Sequence, residues 1–167
     1  MIRDAVVAAA ERRMREDMRW MREVAALGRG AFARLAAFFP LASYRRRTPP
    51  LLFALVRLGA VMVEDCGPCT RIALKMALAE GVPPERLRAA LDGKLVGDEE
   101  LVHAFGRAVS ASDPEAAMLG DRIERQLGRD VRTELALAAA TVRVYPAIKR
   151  GLGLGGPCSL ARFDDLC

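Results

Sequence analysis

The chain of 167 residues has few aromatic residues, a single histidine and no long apolar run. No apolar segment approaches the roughly 20 residues that a membrane-spanning helix needs, so we predict no membrane span. The first ten residues contain Arg3 and Asp4 and are followed by a charged segment, which is not typical of a signal peptide. We therefore expect a cytoplasmic protein, in a compartment where thiols are kept reduced.

Positive charge is concentrated at the start of the chain. The net charge is +5, and residues 1–50 contain 11 arginines against five acidic residues, whereas residues 51–167 are close to neutral. The basic segment lacks interleaved aromatic residues and any nucleic-acid motif. We therefore interpret it as a solvent-exposed helical face and expect no nucleic-acid partner.

Apolar residues recur every three or four positions along most of the chain, which predicts an all-α fold with no strand. The predicted helices cover residues 2–27, 32–39, 51–63, 68–80, 86–91, 98–110, 112–128 and 130–150, with Pro40 ending the second. The segment 45–50 is rich in Arg and Pro and indicates a linker. We expect a basic amphipathic arm (1–47), a helical core (48–150) and a Gly-rich tail (151–167).

The most informative motif is Cys66-Gly67-Pro68-Cys69, at the start of a predicted helix. Two thiols at this spacing can cycle between dithiol and disulfide, and the helix N-terminus favours the reactive thiolate. Thioredoxins carry the same four residues, but they need a strand before the motif, and here an apolar helix precedes it. The motif therefore predicts redox chemistry on a different, helical scaffold, with Cys66 and Cys69 as the catalytic pair.

Residues further along the chain form a wider pattern together with this motif. The second helix ends Ala77-Leu78-Ala79-Glu80-Gly81-Val82 and is followed by Pro83-Pro84-Glu85-Arg86-Leu87. A later segment runs from Leu135-Ala136-Leu137-Ala138 to Arg143-Val144-Tyr145-Pro146. Over residues 51–150 the chain resembles the carboxymuconolactone decarboxylase superfamily, in its alkylhydroperoxidase (AhpD-like) branch.

This resemblance implies an AhpD-like helical bundle that forms homo-oligomers. It also implies a thiol-dependent antioxidant enzyme that reduces hydroperoxides, or that passes electrons from a dihydrolipoamide-type donor to a peroxiredoxin. No bound cofactor is expected, and a peroxiredoxin or a lipoyl protein would be the redox partner. Two alternatives stay open: a dithiol–disulfide oxidoreductase without real peroxidase activity, and a non-catalytic helical binding or assembly protein.

The chain departs from the branch at its proton relay. The branch usually has a His four residues after the second Cys, where this chain has Ala73, and a relay Glu near Ala54. Glu64 is the nearest substitute proton acceptor; the alternative is a solvent-facing carboxylate at a helix end. Helix geometry predicts that Cys66 is more exposed than Cys69, but it does not assign the peroxidatic role.

Other candidate residues have simpler interpretations. Arg71 and Lys75 could attract an anionic substrate, although ordinary surface cations are the better expectation. For His103 we favour a core or surface histidine over a displaced relay, and Tyr145 suits either a packed aromatic or a hydrogen bond near the dithiol. Cys158 and Cys167 could complete a four-thiolate zinc site, but their spacing does not suit one. We expect two tail thiols and no metal.

Overall fold

The computed structural model describes residues 2–155, and within them ten helices and no strand occur. The all-α prediction is therefore confirmed, whereas Cys158 and Cys167 lie outside the described residues. The helices are α1 (Ile2–Met14), α2 (Arg19–Ala26), α3 (Arg29–Ala42), α4 (Pro50–Val63), α5 (Gly67–Ala79), α6 (Pro84–Leu91), α7 (Gly97–Ala111), α8 (Glu115–Leu127), α9 (Arg129–Val142) and α10 (Val144–Gly151). None of them is both long enough and apolar enough to cross a bilayer.

Helix α4 forms the centre of the core and packs on α5, α7 and α9. Its contact with α7 brings the two backbones together at two glycines. A Cβ atom on Gly59 would lie 2.3 Å from the carbonyl oxygen of His103, and one on Gly106 would lie 2.2 Å from that of Val56. Only glycine permits such an approach, so α7 fixes the helix that leads directly into the cysteine motif.

Helices α1–α3 pack over one side of the core through a second apolar cluster. Its buried members include Val7, Trp20 and Leu35, and Ile72 of α5 and Tyr145 of α10 pack against it. The basic arm therefore uses its apolar residues to cover the helix that begins at the cysteine motif.

Two predictions within the arm are wrong. Residues 2–27 do not form one helix, because the chain turns at residues 15–18, where Arg15 has a φ of +49°. The turn lets Trp20 and Met21 pack in the second cluster. Pro40 does not end α3, since it removes only one backbone donor, and the N–H of Ser43 still donates to the oxygen of Phe39 (3.0 Å).

The linker between arm and core is fixed by one buried carboxylate. Glu134 on α9 is only 5% exposed. It accepts hydrogen bonds from the backbone N–H groups of Arg46 (3.0 Å), Arg47 (3.0 Å) and Thr48 (2.9 Å), and from the Thr48 hydroxyl (2.7 Å). The buried N–H groups of this turn are thus satisfied by a side chain rather than by water.

The predicted helix over residues 130–150 is also wrong, since it is two helices that meet at Arg143. Pro146 has no N–H to donate to the carbonyl of Val142, and its ring would clash with that carbonyl in a continuous helix. The break turns α10 and directs the Arg143 side chain toward Glu64, next to the cysteine motif.

Candidate functional site

Cys66 and Cys69 form a disulfide at the N-terminus of α5, with Cα atoms 5.2 Å apart. Cys66 is the N-cap residue, and Pro68 occupies the first turn, where its missing N–H costs no hydrogen bond. The N–H of Thr70 donates to the carbonyl of Cys66 (2.9 Å) and closes the first helical turn. After reduction, the positive end of the helix dipole would favour a thiolate at Cys66.

Both cysteines are buried. Cys66 is 3% exposed and Cys69 is 7% exposed, so the prediction that Cys66 is the more exposed residue is wrong. Both belong to the main hydrophobic core, because α5 is packed against α4 on one side and against the second cluster on another. Helical periodicity alone does not reveal this cover, since it comes from segments distant in sequence.

The two cysteines face different spaces. Cys66 borders an open groove of about 340 Å³, together with Glu64, Asp65 and Arg150. Cys69 borders a separate cavity of about 330 Å³. The groove lining includes three charged residues, whereas the cavity lining is mostly apolar. We call these spaces the groove and the cavity.

Glu64 is buried (7% exposed) and doubly ion-paired, so its interpretation as a solvent-facing carboxylate is wrong. Arg143 Nε donates to its Oε1 (2.8 Å), Arg150 pairs with Oε2, and Ser110 Oγ donates to Oε1 (3.1 Å). Burial opposes ionisation, but the hydrogen bonds from Arg150, Arg143 and Ser110 outweigh it and lower the pKa of Glu64. Such a carboxylate is a weak proton acceptor and a strong structural link between α4, α7 and α10.

The cavity is enclosed by the arm and the core together. Its lining comes from α1, α2 and α3 of the arm and from α4, α5, α9 and α10. Ala73, at the position of the branch's relay His, is part of this lining and contributes a methyl group. Tyr145 also lines it, within an aromatic cluster in which its ring stacks on Phe39 (centroids 5.7 Å apart). Burial raises the pKa of Tyr145 to about 12, which keeps its hydroxyl protonated.

Two cations in the lining are the residues that sequence reasoning missed. Arg57 (9% exposed) and Lys149 (3% exposed) are both buried. Burial lowers the pKa of each, although nearby acidic groups partly oppose this shift. One signal was present for Arg57, since it is the only charged residue in the apolar sequence of α4. Lys149 carries no comparable signal.

The remaining candidates lie in structural contacts. Arg71 Nε and Lys75 Nζ pair with Glu16 Oε1 at 2.7 and 3.0 Å, so both cations hold the turn after α1 against α5. His103 lies at the crossing of α4 and α7, where burial, helped by the charge of Arg107, lowers its pKa to about 4. The imidazole is therefore neutral near pH 7.

The structure shows no metal centre within residues 2–155, where no group of three or more His, Cys, Asp or Glu side chains could hold an ion. The hypothesis of a four-thiolate zinc site depends on Cys158 and Cys167 and falls outside this range. Within the described residues, the chemistry of the site is that of two thiols, a paired carboxylate and buried cations.

No protein-family model, no curated protein and no solved structure matches the chain. Function must therefore be inferred from the chain's own residues and from the geometry around Cys66 and Cys69.

Proposed function

We propose that the chain is a thiol-dependent oxidoreductase of the AhpD-like type, which reduces hydroperoxides through a Cys66/Cys69 dithiol–disulfide cycle. The observation that supports it best is a disulfide at a helix N-terminus that borders an apolar cavity. An apolar hydroperoxide has a place to bind in that cavity, beside a sulfur atom.

The proposed reaction consumes one hydroperoxide and two thiols. A cysteine thiolate attacks the terminal peroxide oxygen, the O–O bond breaks, and the alkoxide takes a proton and departs as an alcohol. The sulfur becomes a sulfenic acid. The second thiol then attacks this sulfur, a water molecule departs, and the disulfide forms. Cys69, which borders the cavity, is the better candidate for the first step.

Turnover requires a reductant that returns two electrons to the disulfide. A dithiol donor would do so by thiol–disulfide exchange and would itself become a cyclic disulfide. A dihydrolipoamide-type donor and a peroxiredoxin or lipoyl-protein partner belong to this proposal through the resemblance described above. The cytoplasm suits such a cycle, because thiol donors are kept reduced there.

A second candidate, disulfide exchange without peroxidase activity, is favoured by the surroundings of the sulfurs. The relay positions are occupied by Ala54 and Ala73, and Glu64 is already paired with two arginines. Rapid peroxide reduction needs a proton for the departing alkoxide, whereas exchange needs only a thiolate and access. The non-catalytic alternative would leave the disulfide as a structural bond.

Homo-oligomerisation is part of the proposal and has its own support. Several large apolar residues of the arm are exposed, including Leu27 (80%), Leu41 (46%) and Tyr44 (51%). A surface of this kind suits contact with a second copy. Light scattering coupled to gel filtration would show a mass above that of a monomer, and a monomer at all concentrations would contradict this part.

The decisive experiment compares two rates on one sample of pre-reduced protein. Consumption of cumene hydroperoxide and reduction of a small disulfide are measured for the wild type and for the Cys66→Ser and Cys69→Ser variants. A peroxidase consumes one equivalent of peroxide per Cys66–Cys69 disulfide formed, and Cys69→Ser abolishes consumption. Disulfide reduction without peroxide consumption would select the second candidate, and neither reaction would favour the non-catalytic one.

The role of Glu64 is tested in the same assay with Glu64→Gln. If Glu64 accepts a proton in the reaction, its loss lowers the rate of peroxide consumption and removes an acidic limb from the pH profile. If it only positions Arg143 and Arg150, the profile keeps its shape while the stability of the protein falls. Arg150→Gln, which removes one partner and leaves the carboxylate, separates the two effects.

A further inference from the structure

Two residues that line the cavity beside Cys69 carry hydrogen-bond donors with no acceptor among the described residues. Arg57 Nε and Trp20 Nε1 are buried and without a hydrogen-bond partner, and both residues line the cavity. Buried polar groups are nearly always satisfied in folded proteins. An acceptor that is not among the described residues would therefore be stabilised beside this cavity.

The same cavity is lined by two buried cations, whose charges are only partly offset by acidic groups outside its lining. Arg57 is 9% exposed, and its only side-chain hydrogen bond goes to the sulfur of Met76 (3.6 Å). Lys149 is 3% exposed, and its ammonium group forms no hydrogen bond or ion pair within residues 2–155. No carboxylate of the described chain lines the cavity. Buried cations that are only partly compensated are unfavourable, so the cavity favours an anionic occupant.

The other lining residues are mostly apolar and come from several helices that are separate in sequence. Met14, Met21, Phe39, Ile72 and Val142 are representative members. Methionines adapt to irregular aliphatic ligands. A volume of about 330 Å³ lies at the lower end of the range for small-molecule sites, roughly 300 Å³ and above. The occupant should therefore join a small anionic group to a compact apolar body.

We propose that the cavity binds an amphipathic monocarboxylate, with its carboxylate on Arg57, assisted by Lys149, and its apolar part packed toward Cys69. Arginine suits this role because its planar guanidinium can donate two parallel hydrogen bonds to a carboxylate. Where the proposed function also holds, the preferred substrates are apolar hydroperoxides that carry a carboxylate; this clause alone rests on that function.

Binding is tested by calorimetry on the oxidised protein, with octanoate as probe and 1-octanol as its uncharged match. We expect octanoate to bind and octanol to bind at least about tenfold more weakly. Arg57→Met should lower the affinity for octanoate by about tenfold or more, and Arg57→Lys should lose less. Arg125→Met, an exposed arginine on α8, is the matched control and should leave the affinity unchanged.

A second measurement places the ligand beside the correct sulfur. In the reduced protein, octanoate should slow the alkylation of Cys69 by iodoacetamide more than that of Cys66, as read by peptide mass spectrometry. If Arg57→Met does not fold, as judged by circular dichroism, the proposal is tested by the octanoate affinity of Lys149→Met and by this protection pattern.

Three results would overturn the proposal: no binding of octanoate, equal binding of octanol, or equal protection of both cysteines. Because calorimetry uses the oxidised protein without peroxide, binding without peroxidase activity would refute only the proposed function. Peroxide consumption without any preference for the carboxylate would refute only the clause on preferred substrates.

Discussion

Replacing Glu134 by Gln would test whether one carboxylate holds the arm on the core. Burial opposes the ionisation of Glu134, but hydrogen bonds from Thr48, Arg47 and Arg46 outweigh it and lower the pKa of this carboxyl. Gln keeps the shape but replaces one oxygen by an NH₂ group. Whichever way the amide turns, at least one backbone N–H of residues 46–48 loses its acceptor and faces a donor instead.

The expected loss follows from these bonds. An unsatisfied buried donor costs about 1–3 kcal/mol, and the bonds that remain weaken because the acceptor is no longer charged. We therefore expect Glu134→Gln to lower the free energy of unfolding by about 2 kcal/mol at pH 7. Thr48→Val, which removes only the hydroxyl donor, should cost about 1 kcal/mol.

Urea unfolding followed by circular dichroism measures both losses. Glu23→Gln, at an exposed position of α2, is the matched control and should change stability by less than about 0.5 kcal/mol. The result that refutes the reasoning is a Glu134→Gln variant as stable as the control, because it would mean that water satisfies the linker equally well.

The pH dependence gives an independent check on Glu134. Its pKa in the folded protein lies below 4.5, the usual value for a glutamate side chain, so the carboxylate contributes stability that is fully present above the unfolded pKa. That contribution is lost as the pH falls through the folded pKa. The Gln variant should therefore lose less stability than the wild type on acidification below about pH 4.5; parallel acid curves would contradict the assignment.

Two further perturbations probe the core. Gly106→Ala should destabilise the protein by about 3 kcal/mol in urea unfolding, because its Cβ would meet a backbone oxygen. Gly151→Ala, with nothing near the added atom, is the control, and equal stability of the two variants would refute the close crossing of α4 and α7. Because the pKa of His103 is about 4 in the fold, the unfolded chain binds the proton first. His103 should therefore contribute a fall of about 2.5 kcal/mol in wild-type stability from pH 6.5 to pH 4, and His103→Gln should remove that part of the total fall. An unchanged slope in the variant would exclude His103 as its source.

Sequence reasoning located the helices with uninterrupted apolar periodicity. The predicted ranges 51–63 and 68–80 agree closely with α4 and α5, because a strongly apolar or amphipathic segment has only one way to bury its face. The breaks at Arg15 and Arg143 were missed. The break at Arg15 depends on a tertiary contact, Trp20 in the second cluster, which local propensity does not encode. The break at Arg143 has a local signal in Pro146, which the prediction of one continuous helix overlooked.

The candidate site, like the fold, is predictable from the sequence only where its features are local. The cysteine motif is readable because its chemistry lies within four consecutive residues. The burial of its sulfurs and the ion pairs of Glu64 depend on Arg143 and Arg150, some 80 residues later in the chain. The cavity is less accessible still to sequence reasoning, since each helix contributes only one to a few side chains to its wall.

Because the two sulfur atoms of the disulfide have different surroundings, attack on one of them is not equivalent to attack on the other. A nucleophile that arrives through the cavity meets Cys69, and the bond then breaks with Cys66 as the leaving thiolate, stabilised by the N-terminus of α5. A nucleophile in the groove meets Cys66 and expels Cys69 on the side of the cavity, whose lining is mostly apolar but includes the cations Arg57 and Lys149. A better leaving group speeds thiol–disulfide exchange, so attack on Cys69 and attack on Cys66 should proceed at different rates. The side from which the nucleophile approaches therefore determines which mixed disulfide forms and how fast it forms.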